Sequence, residues 1–99
     1  MKLVLTKEAK ADLERIGNDI AEDNPQRAFS FVKELETRCK ALPAMPLAHP
    51  LVSRKKEWGV RRAVHGNYLI FYRADPDAVV VLHILAARMN VNEILRLSE

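Results

Sequence analysis

The stretch Trp58-Gly59-Val60-Arg61-Arg62-Ala63-Val64-His65-Gly66-Asn67-Tyr68-Leu69-Ile70-Phe71-Tyr72-Arg73 decides the fold. Trp58 to Val64 and Tyr68 to Ala74 are rich in aromatic and β-branched residues, which suit a pleated, half-buried surface. Gly66-Asn67 between them tolerates the positive φ of a tight turn, so the two runs read as a β-hairpin. A two-residue loop sets His65 opposite Tyr68. Pairing back from there puts Val60, Arg62, Val64, Leu69, Phe71 and Arg73 on one face, and Arg61, Ala63, His65, Tyr68, Ile70 and Tyr72 on the other. Both faces carry apolar residues, so both need cover.

Towards the C-terminus, Asp75-Pro76-Asp77 makes the next turn. Val79 to Leu85 is a continuous apolar run broken only by His83, the pattern of a central strand covered on both faces. Asn90 to Leu97 suits a short terminal helix, with Asn90 or Asn92 as cap and Ile94 and Leu97 on one side.

Towards the N-terminus, residues 43 to 50 hold three prolines in eight positions, which predicts an extended connector. Before it, Ala28, Val32, Leu35, Cys39 and Leu42 form one stripe at helical spacing that ends at Pro43, with Phe29 and Phe31 widening it. Asn24-Pro25 starts this helix, because Asn caps well and Pro suits the first helical position. An earlier helix runs from Lys7 to about Glu22, capped by Thr6. Its buried face is Ala9, Leu13, Ile16 and Ile20, while Lys7, Lys10, Asp12, Glu14 and Arg15 face water. The short link between the helices makes an antiparallel hairpin. Leu3-Val4-Leu5 is a short strand in front of it.

The fold class expected is therefore α+β, one domain over residues 1–99. It comprises an N-terminal strand, an antiparallel two-helix hairpin, a three-stranded antiparallel sheet and a short C-terminal helix. Ninety-nine residues with 48% hydrophobic and 29% charged content suit such a domain. A chain this small buries only roughly 60–65% of its unfolded surface, so a partner can contribute much of its stability.

The apolar run near Met1 is too short for a signal peptide, and no stretch approaches the roughly 20 apolar residues of a membrane span. A cytoplasmic protein is expected. One cysteine, Cys39, excludes an intrachain disulfide and a cysteine-built zinc site, and its place in the helix stripe makes it a small hydrophobe. The three histidines, His49, His65 and His83, have no metal-ligand spacing, and His83 reads as a hydrogen-bonded strand residue rather than a general base. No phosphate-cradling glycine loop and no converging carboxylate pair is present, so no cofactor or metal is expected.

The formal charge is only +3, but Arg54, Lys55, Lys56, Arg61 and Arg62 lie close together with Glu57 alone against them. Such clustering steers an anionic partner towards the chain. Arg61 and Arg62 point to opposite faces and cannot share one role. Arg62 is the candidate for a carboxylate or phosphate contact, because a guanidinium offers a planar fork of donors. Arg54, Lys55 and Lys56 read as a solvated loop. Trp58 reads either as an interface anchor or as a cap on the sheet core.

The segments Trp58-Gly59-Val60-Arg61-Arg62-Ala63-Val64, Gly66-Asn67-Tyr68-Leu69-Ile70-Phe71-Tyr72-Arg73 and Leu85-Ala86-Ala87-Arg88-Met89-Asn90-Val91-Asn92, with Ala9-Lys10-Ala11-Asp12-Leu13 and Ile16, resemble the RelE/ParE toxin superfamily, on its ParE side. The resemblance covers nearly the whole chain. It implies a type II toxin neutralised by a ParD-like antitoxin, a ribbon-helix-helix protein with a flexible C-terminal segment, in a hetero-oligomer. It also implies inhibition of DNA gyrase by binding. Antitoxin or target contacts are then expected from Trp58, Arg61, Arg62, Leu69, Phe71, Arg73 and Arg88.

The RelE branch instead cleaves messenger RNA on the ribosome with basic groups and a terminal tyrosine. Arg62 matches one of those basic positions and Arg88 lies near another. Leu69 stands where a key arginine would be, and residues 92–99 contain no tyrosine. On that reading Arg62, Arg88 and Lys56 stabilise phosphate charge while His65 or a tyrosine moves protons.

Overall fold

The computed structural model describes residues 1–52 and 57–89. Strand β1 (Lys2–Leu5) leads into helices α1 (Lys7–Ala21) and α2 (Pro25–Ala41), followed by a 3-10 turn (Leu42–Ala44) and strands β2 (Val60–His65), β3 (Tyr68–Ala74) and β4 (Ala78–Ala86). The expected C-terminal helix at Asn90–Leu97 and the basic residues Arg54, Lys55 and Lys56 lie outside the described residues.

Both helix starts follow from their capping residues. Thr6 Oγ1 accepts the Ala9 N–H at 3.1 Å, and Asn24 Oδ1 accepts the Arg27 N–H at 3.0 Å, with Pro25 next in the chain. Thr6 also ties β1 to its neighbour, since its hydroxyl lies 2.9 Å from Val81 O and 3.0 Å from Leu82 O. One residue thus ends a strand, begins a helix and fixes both to β4.

The hairpin register is the one that a two-residue loop demands, running from His65↔Tyr68 back to Val60↔Arg73. Gly66 has φ +59° and Asn67 a negative φ, the pattern of a type II′ turn. Among the described residues the sheet order is β1-β4-β3-β2, with β1 joining as a fourth strand parallel to β4. β4 is therefore interior, as its apolar run predicts. A bulge leaves Leu82 of β4 unpaired between Phe71↔His83 and Tyr72↔Val81.

The helical hairpin covers one face of the sheet. Ala9, Leu13, Ile16, Phe31, Leu35, Cys39 and Leu42 pack there on Ala63, Ile70, Tyr72, Val79, Val81 and Ile84. Gly17 lets the helices approach closely, since a Cβ there would meet Val32 Cγ2 at 3.2 Å. Phe31 is buried, with its ring centroid 5.3 Å from that of Tyr68. Phe29 does not widen the stripe. It is 70% exposed, with Lys33 Nζ 5.4 Å from its ring centroid. The connector is not extended throughout either: Pro43 lies within a 3-10 turn, early enough that its missing N–H leaves no bond unmade.

Asp12 does not face water; it is 4% exposed. β1 pairs with β4 only as far as Val81, so the Ile84 N–H has no strand neighbour on that side. Asp12 Oδ2 takes that N–H at 2.9 Å and also accepts from His83 Nδ1 at 2.8 Å. Arg15 Nη1 binds the other carboxylate oxygen at 2.8 Å, while Nη2 lies 3.5 Å from Ile84 O. The pair Asp12 and Arg15 stands in for a missing strand.

Burial pushes the Asp12 carboxyl up, but the hydrogen bonds from His83, Ile84 and Arg15 outweigh it, and the pKa falls below 3.8. Asp12→Ala removes the acceptor of the Ile84 N–H and of His83 Nδ1, and an unfolding cost of about 3 kcal/mol is expected in urea titrations. Because the folded-state pKa lies below the unfolded one, this contribution is complete above the unfolded value of about 3.9 and is lost as pH falls through the folded value. Asp12→Asn is expected to remove that part of the acid sensitivity.

Candidate functional site: the helix-free face of the sheet

The opposite face, which carries no helix among the described residues, holds the second half of the hairpin alternation. Val60, Phe71 and Leu85 form a small cluster at its centre, with Val52, Leu69, Leu82 and Met89 packed around them. Phe71 is only 1% exposed, so this face has a core of its own. Val64, on the same face, is 54% exposed. The result is an apolar floor that reaches solvent towards the hairpin turn.

Three arginines surround that floor in different states. Arg73 is clamped by Asp75, with Nε to Oδ1 at 2.7 Å and Nη2 to Oδ2 at 3.1 Å. That fork raises the Arg73 pKa and holds Asp75 below its usual value. Arg62 and Arg88 are exposed, and neither guanidinium has a bonding partner among the described residues. Arg62 is anchored through its backbone, whose N–H donates to Pro50 O at 3.0 Å. Arg88 follows β4 in the turn where Ala87 N–H donates to Asn67 O at 2.9 Å. Both cations are available to an anionic group.

Arg61 points the other way, as the alternation predicts. Its Nη1 donates to His49 O at 2.7 Å and lies 3.4 Å from Leu47 O. Its cross-strand neighbour Tyr72 donates its hydroxyl to Pro46 O at 2.7 Å, and the His49 ring stands edge-on to Tyr72. Arg61 and Tyr72 therefore hold the proline-rich connector against the sheet. Burial raises the Tyr72 pKa and, with Arg38 nearby, lowers that of His49.

Of the residues singled out in the sequence, Arg62, Leu69, Phe71 and Arg73 share the helix-free face, and Arg88 follows the β4 end of the sheet. Arg61 lies on the reverse side. Trp58, just before β2, is 46% exposed. The Asp12–Arg15 clasp and the Tyr72–Pro46 bond were not read from the sequence. The first had no signal, because a charged helix residue looks solvated; the second had only the weak one that buried tyrosines seek a hydroxyl partner.

The described polar side chains around this face are Arg62, Arg88 and the Arg73–Asp75 pair, with His83, opposite Phe71 in the register, bonded to Asp12. No cluster of His, Cys, Asp or Glu suited to a metal occurs among the described residues. The His83–Asp12 pair is buried beneath α1, and Cys39 is buried with its thiol pushed up to about 11 by desolvation. No helix among the described residues is long and apolar enough to cross a membrane.

Residues 3–91 match the family described as ParE toxin of type II toxin–antitoxin system, parDE. The chain belongs to the ParE toxin family. Among solved structures, a chain of the chromosomal ParDE toxin–antitoxin system from P. aeruginosa superposes with a TM-score of 0.74 at 21% identity, covering 87% of this chain and 95% of that one. A chain of the toxin–antitoxin complex RelBE2 from Mycobacterium tuberculosis gives 0.59 at 23% identity, covering 86% and 95%. No curated protein sequence matches. The ParE fold thus carries the strand, helical hairpin and antiparallel strands described above.

The two neighbouring arginines of this ParE chain are expected to behave differently. Arg61→Ala should cost about 1.5–3 kcal/mol, because charged hydrogen bonds to the connector are lost. Arg62→Ala should stay within about 0.5 kcal/mol of the parent. Parallel denaturant titrations check both, and proteolysis rates at Leu47–Leu51 should rise for the first variant only.

Proposed function

We propose that this toxin acts by binding, as an inhibitor of DNA gyrase held silent by a ParD-like antitoxin whose flexible segment folds onto the helix-free face. The observation that carries the reading is the make-up of that face. Leu69 packs beside Phe71 and Leu85 where an RNA-cutting relative would carry an arginine, and the described charged groups around them are Arg62, Arg88 and the Arg73–Asp75 pair. An interface needs an apolar floor and a charged rim, whereas phosphodiester cleavage needs groups that move protons. Arg62 and Arg88 suit carboxylates of an acidic antitoxin segment or of the target. Arg73 would have to exchange Asp75 for such a group.

A cytoplasmic site of action and a hetero-oligomer with the antitoxin belong to the same proposal. The RelE-like alternative, ribosome-dependent cleavage of messenger RNA, draws on the RelBE2 fold likeness and on Arg62 and Arg88. It is the second reading because its set of groups is incomplete at Leu69.

Two assays run on the same purified toxin separate the readings. Loss of gyrase supercoiling with accumulation of cleaved DNA is expected, with ribosome-bound messenger RNA left intact. RNA cuts with supercoiling unaffected would reverse the assignment. Arg62→Glu is expected to weaken antitoxin binding about tenfold or more with an unchanged melting temperature, since like charges are then opposed across the interface. Antitoxin binding should also slow amide exchange on β3.

A further inference from the structure

On the other side of the sheet, the helical hairpin leaves a groove of about 710 Å³ between α1 and α2. Leu13, Gly17, Ala21, Ala28 and Val32 belong to its lining, and so does Phe29, which is 70% exposed. The charged residues of the lining are Lys10 and Glu14 on α1 and Lys33 and Glu36 on α2. None of these four forms an ion pair among the described residues. The helices run antiparallel, with Gly17 close to Val32. Followed from the N-terminal end of α1, the α1 wall is therefore positive and then negative, and the α2 wall negative and then positive. These charges sum to zero, so neither a wholly acidic nor a wholly basic segment matches the groove.

We infer that the groove is the docking surface for a second copy of this chain, groove against groove, about a two-fold axis that runs along both. The charge order selects this occupant. Such an axis lays α1 of each copy over α2 of the other without changing their levels, so the positive-then-negative wall meets the negative-then-positive one, twice. With Gly17 and Val32 level and a rise of about 1.5 Å per residue, Lys10 is offset along the helix by about 4.5 Å from Glu36 of the other copy, and Glu14 by about 3 Å from Lys33. Long side chains span both offsets. The two acids stand nearly level between the lysines, so each has an opposite charge within one turn. The same rotation sets Phe29 over Gly17 and Ala21 of the other copy, where the absence of large side chains leaves room for a ring that is otherwise in water. The helix-free face lies on the far side of the sheet, so the pairing is independent of the function proposed above.

Sedimentation equilibrium of the purified toxin alone over the micromolar range tests this. A concentration-dependent species of twice the monomer mass is expected. Phe29→Ser, Glu14→Lys and Lys33→Glu should each weaken self-association about tenfold or more, the last two because they set like charges against each other across the axis. Mixed in equal amounts, Glu14→Lys and Lys33→Glu chains should associate with each other at least as tightly as the parent does with itself. In that mixture the introduced lysine faces the introduced glutamate, and Lys33 of the first chain faces Glu14 of the second. Asp19→Lys and Lys40→Glu change exposed helix residues outside the groove lining and should each dimerise as the parent does, with no gain on mixing. A toxin that stays monomeric at all concentrations would overturn the inference and leave the groove to a segment of another protein. So would a dimer indifferent to all three groove substitutions in variants of unchanged circular dichroism, or a control mixture that behaves as the groove mixture does.

Discussion

Everything in this fold leans on the mismatch in length between β1 and β4. β1 has four residues and β4 nine, so the outer side of β4 beyond Val81 would present bare backbone to the interior beneath α1. A buried N–H without a partner costs a few kcal/mol, which is a large part of the stability of a domain this size. Asp12 removes that cost by supplying an acceptor from the helix side, and hydrogen bonds from His83, the Ile84 N–H and Arg15 keep the carboxylate ionised. The clasp also ties α1 to β4 at His83 and Ile84. Ala9, Leu13 and Ile16 then meet Val81 and Ile84 in register, and Gly17 lies at the close approach to α2.

Patterns that repeat were legible in the sequence, and single long-range contacts were not. The hairpin register could be read residue by residue, because a period of two and a two-residue loop leave no freedom. Helix faces followed from spacing, with one instructive slip. Phe29 and Phe31 cannot both join the stripe, since two positions apart they lie on different sides of a helix. Phe31 is three from Ala28 and four from Leu35 and belongs to the stripe, while Phe29 stands outside it. Spacing alone carried that answer. The role of Asp12 was hidden because nothing local distinguishes a carboxylate that caps a distant strand from one in water. The joining of β1 to β4 was hidden for the same reason: these parallel neighbours are separated by the helical hairpin, the connector, β2 and β3.

The site shows the same division. Alternation assigned Arg61 and Arg62 to opposite faces, and it did so correctly. What each arginine does depends on the neighbours it finds there. Arg61 meets the Leu47 and His49 carbonyls of the proline-rich connector and becomes part of the scaffold. Arg62 meets an apolar floor and solvent. Arg73 has an acid two residues on, so its charge is largely matched before any partner arrives.

If the helix-free face is the interface proposed above, that gradation sets how it would discriminate among partners. Long-range attraction depends on the net field, to which Arg62 and Arg88 contribute more than the paired Arg73. Short-range fit depends on burying Val64 and Leu69 beside the Phe71 cluster. A purely polyanionic partner satisfies the first condition and leaves the apolar floor wet, so its binding falls with salt. An amphipathic protein segment bearing both carboxylates and apolar side chains satisfies both at once. Because the described core on this face has only Val60, Phe71 and Leu85 as its buried centre, a segment that packs on it would extend that core, and binding and folding stability would rise together.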